Sequence, residues 1–149
     1  MANADAQLEA FLEKFLPEIA AIGRASLAKL RALLPEYDAL VYDNYNALAT
    51  GFSPNGKPGS AMLSLAVYPR WVSLFVSASL DDPGRILKGD GTRVRHIVLA
   101  GGADDLDRPE IADLISQTRE RAGSLLNESR KGQLVIQSIS AKQRPRRPA

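Results

Sequence analysis

Hydrophobic and polar residues alternate over 61–77, and this alternation predicts a β-hairpin. Pro69 and Arg70 interrupt the alternation and supply the turn. Because side chains point alternately to the two faces of a strand, the aliphatic ones collect on one face, which must be buried. That face carries Leu63, Leu65, Val67, Val72, Leu74 and Val76. The other face is mixed and carries Met62, Ser64, Ala66, Tyr68, Trp71, Ser73, Phe75 and Ser77. We expect the hairpin to form the centre of a sheet.

Helical spacing of apolar residues predicts two helices before the hairpin, over 5–16 and 17–34. A third helix is predicted from the capping-box pattern Asp107-Arg-Pro-Glu110 to about Gly123. Asp82 followed by Pro83 resembles a helix start and predicts a short helix over 83–88.

Three further stretches predict strands: 37–52, with a break near Asp43-Asn44, then 93–99 and 134–139. Helices thus come first, strands follow and a helix comes late, which indicates an α+β fold with a mainly antiparallel sheet. We expect one domain over 1–141. The basic, proline-rich stretch 142–149 is expected to be a disordered tail.

The composition is typical of a soluble globular protein, with 45% apolar and 24% charged residues among 149. The absence of cysteine excludes disulfides and thiolate chemistry, and a single histidine argues against a zinc site. No apolar run approaches the roughly 20 residues that span a bilayer. Residues 1–7 lack the basic region of a signal peptide, so we expect a bacterial-type cytoplasmic protein.

The formal net charge of +2 is set by the tail. Lys142, Arg144, Arg146 and Arg147 lie there without an acid, and the rest of the chain holds 15 basic against 17 acidic side chains. These cations could contact nucleic-acid phosphates weakly, but no aromatic residues are interleaved with them. A solvated tail is the simpler interpretation.

His96 is the only histidine, and it alternates with Arg95 in its strand, so one of the two faces the interior. A general acid or base and a structural histidine are both compatible with this position. We favour the second, because no other histidine or cysteine and no defined Ser–His–Asp order accompanies it.

The glycines of 88–93 lack the strand–loop–helix context of a phosphate loop. Five aspartates could bind a hard cation, although acidic loops are usually only solvated: Asp81, Asp82, Asp104, Asp105 and Asp107.

A cluster of aromatic, amide and guanidinium side chains is the strongest candidate for a binding site. It consists of Tyr42, Asn44, Tyr45, Tyr68, Arg70 and Trp71, on strands and beside the central turn. Such a combination is typical of pockets for small molecules or peptides. Alternatively, these aromatic rings only close the second face of the sheet, with their polar tips in water.

The order of several short motifs resembles that of the YdhG-like family, a bacterial domain of unknown function. The motifs are Leu34-Pro35-Glu36 with 41–45, the hairpin over 63–75, Asp82-Pro83 with 89–91 and 95–97, and Asp107 with 109–111 and 114–115. The resemblance extends over roughly residues 8–122. The residues that match the family pattern are Tyr42, Asn44, Tyr45, Tyr68, Arg70, Trp71, Arg95 and His96.

The resemblance implies an α/β fold with N-terminal helices, an antiparallel sheet of about five strands and a C-terminal helix. Some members of the family are described as frataxin-like intracellular iron chaperones, in which acidic side chains on a helix or edge hold iron. Here the acids of the first two helices are mixed with basic residues, and no residue is carried over as an iron ligand. The acids are Asp5, Glu9, Glu13 and Glu18.

We therefore expect a non-enzymatic module that binds a small molecule or a partner through the eight matching residues. This site requires the strands that carry Tyr42 and His96 to lie side by side. An iron-binding protein is the alternative, with iron as its cargo, and an enzyme that uses His96 is a third hypothesis. An unpaired sheet edge would also allow a homodimer.

Overall fold

The structure is a computed structural model that describes residues 3–148. Three residues of the predicted domain and tail lie outside this range: Met1, Ala2 and Ala149. Its α-helices are α1 (Ala4–Leu12), α2 (Pro17–Leu33) and α3 (Pro109–Ala122). Its strands are β1 (Asp38–Asp43), β2 (Leu48–Ser53), β3 (Leu63–Val67), β4 (Val72–Ser77), β5 (Val94–Val98) and β6 (Leu134–Ile139). Short 3-10 helices occupy Pro58–Ser60, Ala103–Asp107 and Gly123–Leu125. The predicted α+β class is confirmed.

Local sequence sets the ends of the first two helices. Asn3 caps α1, because its side-chain oxygen accepts a hydrogen bond from the backbone N–H of Ala6 at 2.8 Å. α1 ends at Leu12, before the predicted position 16, since Leu16 precedes Pro17 and adopts an extended ψ of 143°. Pro17 then occupies the first turn of α2, where its missing N–H is not needed. No helix within 3–148 combines the length and the apolar character that crossing a bilayer requires.

The strands form one sheet with the order β5-β4-β3-β2-β1-β6. Four neighbouring pairs are antiparallel and β1–β6 is parallel, which confirms a mainly antiparallel sheet. The predicted strand region 37–52 is itself a hairpin, so the sheet has six strands where about five were expected. Its turn lies at the expected break, where Asn44 donates its backbone N–H to the carbonyl of Ala47 at 3.0 Å.

The helices pack on one face of the sheet, and the aliphatic face of the central hairpin forms part of this core. Its members are each at most 3% exposed, as predicted: Leu63, Leu65, Val67, Val72, Leu74 and Val76. Gly23 lets α2 approach β3 closely, because a Cβ at this position would lie 3.0 Å from a methyl group of Val67. The opposite face of the sheet is therefore left to loops and solvent.

The predicted short helix over 83–88 is wrong, and the segment forms a turn. Asp82 accepts hydrogen bonds from the backbone N–H groups of Ile86 (3.1 Å) and Leu87 (3.0 Å). Arg85 has a positive φ of 52°, which no helix accommodates. A stretch of six residues is too short to form a stable helix by itself, and the Asp82 carboxylate stabilises the turn through local hydrogen bonds instead.

The capping box predicted at 107–110 does not form. The carboxylate of Asp107 lies 2.7 Å from Lys29 Nζ on α2, so it is engaged in an ion pair between helices. Arg108 occupies the cap position of α3 without a side-chain hydrogen bond to the helix. A lysine on a neighbouring helix thus competes successfully for the carboxylate.

The described part of the tail, 142–148, packs against the body, which differs from the disorder expected from its composition. Arg146 is 5% exposed and donates to Asp43 Oδ1 at 2.9 Å. Gln143 donates to the backbone carbonyl of Asp43 at 3.1 Å, and the backbone N–H of Arg144 to that of Tyr45 at 2.9 Å. The tail is therefore held by hydrogen bonds to acceptors at the end of β1. Because these acceptors are distant in the sequence, the composition of the tail does not predict its packing.

Candidate functional site

The sheet face opposite the helices carries most of the predicted site residues. We call it the open face. One row of it consists of Tyr42, Ala49, Ala66, Ser73 and Val98, side by side across β1 to β5. The adjacent row consists of Leu40, Gly51, Ser64, Phe75 and His96. None of these residues belongs to the hydrophobic cluster beneath the helices.

Tyr42 and His96 lie on the same face but not side by side. Tyr42 is on β1 and His96 is on β5, with β2, β3 and β4 between them. At the usual strand spacing, this places their backbones about 19 Å apart. The predicted eight-residue site therefore does not close around one ligand, because strand order separates its two ends.

Arg95 lies on the opposite side of the sheet from His96. It is registered with Val76, a core residue on β4, and its side chain donates to the carbonyl of Gly91 at 3.2 Å. Arg95 therefore lies apart from the open-face residues, and its role in binding stays a prediction.

His96 is the open-face member of this pair. Its ring lies against that of Phe75, with centroids 5.4 Å apart. Its backbone N–H and carbonyl pair with Lys88, which covers part of the outer edge of β5. Within 3–148, the imidazole contacts the Phe75 ring and makes no hydrogen bond.

The turn between β3 and β4 presents a pair of stacked rings. Tyr68 and Trp71 have centroids 5.0 Å apart with 28° between their planes. The turn itself enforces this, since Tyr68 donates its backbone N–H to the carbonyl of Trp71 at 2.9 Å and both side chains leave on the open face. Trp71 is 43% exposed, whereas burial raises the pKa of the Tyr68 hydroxyl. The pair forms a rigid aromatic surface with one ring accessible.

A groove separates this turn from the C-terminal segment, and we call it the turn–tail groove. It has a volume of about 770 Å³. Its lining includes Asn46, Tyr68, Arg70, Trp71, Arg144 and Arg147, together with prolines, and no acidic residue. Arg144 lies over the ring of Tyr45 at 5.6 Å, and Arg147 donates only to backbone carbonyls, those of Lys14 and Glu13. Three arginines thus line the groove, and no carboxylate does.

A second groove continues across the open face over β2 and β3, and we call it the central groove. Its volume is about 590 Å³, and it shares Asn46 and Tyr68 with the turn–tail groove. Small residues such as Ala49, Ser64 and Ala66 line it between the larger rings. The structure therefore brings five of the eight predicted residues together, and these are Asn44, Tyr45, Tyr68, Arg70 and Trp71. Tyr42, Arg95 and His96 line neither groove.

Two groove-lining residues lie outside the predicted site. Composition predicts a solvated segment at Arg144 and Arg147, yet both line the turn–tail groove. The sequence carries no signal for these two arginines, but Ser64 and Ala66 do indicate the groove beside them, since small side chains on an open sheet face leave room for a ligand.

Two of the four acids on the first two helices are paired with arginines. Glu9 binds Arg24 through both carboxylate oxygens, and Asp5 lies 3.3 Å from Arg31. Among residues 3–148, no group of three or more His, Cys, Asp or Glu side chains is arranged to hold a metal ion. Iron binding stays a prediction of the family resemblance.

Comparison with known proteins adds no relative: no family model, no curated protein and no solved structure matches the chain.

Proposed function

We propose that the protein is a non-enzymatic binding module whose ligand is an anionic small molecule with a flat aromatic ring. The ligand occupies the turn–tail groove. The observation that carries this proposal is the position of the stacked Tyr68–Trp71 pair in a groove lined by three arginines and no acid.

Charge supports an anionic ligand. The arginines that stabilise the fold are paired with carboxylates, for example Arg119 with Glu36 at 2.8 Å and Arg130 with Asp38 at 2.9 Å. Arg70, Arg144 and Arg147 form no ion pair in the part of the chain that the structure describes. A planar guanidinium matches the two oxygens of a carboxylate or phosphate, so these groups supply complementary donors.

The accessible indole supports an aromatic ring in the ligand. An offset-stacked aromatic pair contributes about 0.5–1.5 kcal/mol beyond its buried area. Because Trp71 is already held in place by Tyr68, little side-chain freedom is lost when a ligand ring stacks on it. The groove residues can hold and orient a ligand, while His96 lies on β5 outside the groove.

Titration monitored by the fluorescence of Trp71, the only tryptophan, tests the proposal with three probes: AMP, adenosine and inorganic phosphate. We expect AMP to bind more tightly than either of the others, and its affinity to fall with added salt. Arg144→Ala should weaken AMP binding by roughly tenfold, in line with the loss of one charge-assisted hydrogen bond.

Arg108→Ala is the matched control, because Arg108 is an exposed arginine at the start of α3. It should leave AMP binding unchanged. Equal affinities for AMP and adenosine, together with unchanged AMP binding in Arg144→Ala, would overturn the proposal.

A further inference from the structure

A third groove extends the ligand surface to the far end of the open face. Its volume is about 370 Å³, and it is lined by Met62, Ser64, Phe75, Ser77, Arg93 and Val94, with three neighbouring residues. It shares Ser64 and Phe75 with the central groove, which in turn shares Tyr68 with the turn–tail groove. The three grooves are therefore adjacent along the open face, and we call the surface that they form together the channel.

The channel is much longer than a mononucleotide needs. Along β3 and into the turn, it follows the open-face positions from Met62 to Tyr68, which span about 20 Å of extended chain. Aromatic rings lie at two positions along the channel: Phe75 in the middle of β4, and Tyr68 with Trp71 at the turn. Trp71 and Phe75 are four residues apart along the chain and point to the same face of the sheet. At the usual rise of a strand, their backbones are about 14 Å apart.

The charge along the channel has one sign. Arginine occurs at both ends, with Arg93 beside β5 and with Arg70, Arg144 and Arg147 beside the turn. No aspartate or glutamate lines any of the three grooves, although the chain holds 17 acidic residues. A ligand that follows the whole channel must therefore carry negative charge at both ends.

Small residues line the channel between these ends. Ala49 on β2 and Ala66 on β3 lie on the open face, and Ser64 on β3 is half-buried beside Phe75 of β4. Each aromatic ring already has one ring neighbour, His96 for Phe75 and Tyr68 for Trp71, and the small residues leave room beside these pairs for other flat groups. Asn46 and Ser64 add side chains that can both donate and accept hydrogen bonds.

We propose that single-stranded nucleic acid several nucleotides long binds along this channel, from Arg93 to Arg144, with little sequence preference. Proteins that bind single strands use aromatic rings on an open sheet, on which the bases stack, and cations that lie along the nucleic-acid backbone. A duplex keeps its bases stacked on each other and cannot use the rings of Phe75 and Trp71. The inference rests on the proposed function, because the turn–tail groove is one end of the channel, and it replaces the weak tail contact expected from sequence.

Fluorescence anisotropy with end-labelled ten-nucleotide probes, oligo(dT) and oligo(U), measures this binding on the full chain. We expect both single strands to bind more tightly than AMP and than a duplex of the same length. The logarithm of affinity should fall with the logarithm of salt concentration with a slope of about −3, as expected for four phosphate contacts on a single strand.

Two variants at the far end separate this inference from the proposed function. Phe75→Leu keeps an apolar side chain but removes the ring, and it should weaken oligonucleotide binding by roughly 5- to 100-fold. Arg93→Gln should reduce the salt slope by about 0.7. Both variants should bind AMP as the wild type does, since neither residue lines the turn–tail groove.

Three results would overturn the inference. If AMP binds and oligonucleotides bind no more tightly, the ligand is a small molecule and only the proposed function survives. If Phe75→Leu and Arg93→Gln leave oligonucleotide affinity and salt slope unchanged, the channel is not the binding surface. If poly-glutamate competes as well as oligo(dT) at equal charge, the arginines recognise an acidic protein segment instead.

Discussion

Arg146 and Asp43 form a buried ion pair that joins the C-terminal segment to the end of β1, with Nη2 2.9 Å from Oδ1. The Asp43 side chain is fully inaccessible to solvent and that of Arg146 nearly so. Lys14 Nζ lies 3.0 Å from the other carboxylate oxygen, and the guanidinium lies 5.6 Å from the ring centroid of Phe15. Because a buried carboxylate is costly without a partner, this contact fixes the position of the tail, and with it one wall of the turn–tail groove.

We expect Arg146→Ala to lower the free energy of unfolding by about 2 kcal/mol. The substitution leaves Asp43 buried with one cation fewer, and the remaining contact to Lys14 limits the loss. Urea unfolding near neutral pH measures the change. Arg144→Ala, two residues away, is the matched control: Arg144 is exposed over Tyr45, and its loss should cost less than about 1 kcal/mol.

A double-mutant cycle with Asp43→Asn and Arg146→Met isolates the pair itself. A coupling energy of about 1–3 kcal/mol is expected for two buried, hydrogen-bonded side chains. Strictly additive effects would show that the two residues stabilise the fold independently, contrary to the geometry.

The faces of the central hairpin could be predicted because they follow from local chemistry. The period-2 alternation of β3 and β4 assigns Leu65 and Leu74 to the core and Phe75 and Trp71 to the other side, and the structure agrees. The aromatic members of the predicted cluster on the hairpin follow from the same alternation, and most members of the cluster line the two adjacent grooves.

The rest of the site depends on contacts between distant segments. Which of Arg95 and His96 faces the core is decided by the register of β5 on β4, where His96 lies opposite Phe75. Strand order separates His96 from Tyr42, and no local pattern encodes that order. The role of Arg146 depends on a carboxylate 103 residues away, so composition alone suggested a solvated tail.

The accessibility of Trp71 predicts that it contributes little to stability. Trp71 is 43% exposed and packs mainly on Tyr68, so Trp71→Ala should lower the free energy of unfolding by only about 1 kcal/mol. Phe52, fully buried in the core, is the comparison: Phe52→Ala should cost about 3–5 kcal/mol. Urea unfolding followed by circular dichroism measures both variants.

Trp71→Ala should nevertheless abolish most AMP binding in isothermal titration calorimetry. If this variant is instead as unstable as Phe52→Ala, the indole is a core residue and the accessible ring required by the proposed function does not exist.

Three carboxyl groups that face cations make stability depend on pH. Hydrogen bonds from Arg119 hold the pKa of Glu36 below its usual value. Burial raises the pKa of Asp38, but hydrogen bonds from Arg130 and a backbone N–H outweigh it and leave this pKa lowered. The same balance of burial and hydrogen-bonded partners lowers the pKa of Asp43. Each group therefore holds its proton less tightly in the folded state than in the unfolded state.

The unfolded state consequently binds protons first as the pH falls. The stabilisation from these groups is complete at neutral pH and is lost as the pH falls through the ordinary carboxyl range near pH 4. We expect the free energy of unfolding to be nearly constant from about pH 7 to pH 5.5 and to fall steeply below about pH 4.5.

Asp38→Asn, which cannot titrate at this position, should have a lower free energy of unfolding near neutral pH, and that free energy should fall less on acidification. Asp90→Asn, at an exposed loop position, should follow the wild type. If the free energy of unfolding rose on acidification instead, the three carboxylates would not be stabilised by their arginine partners.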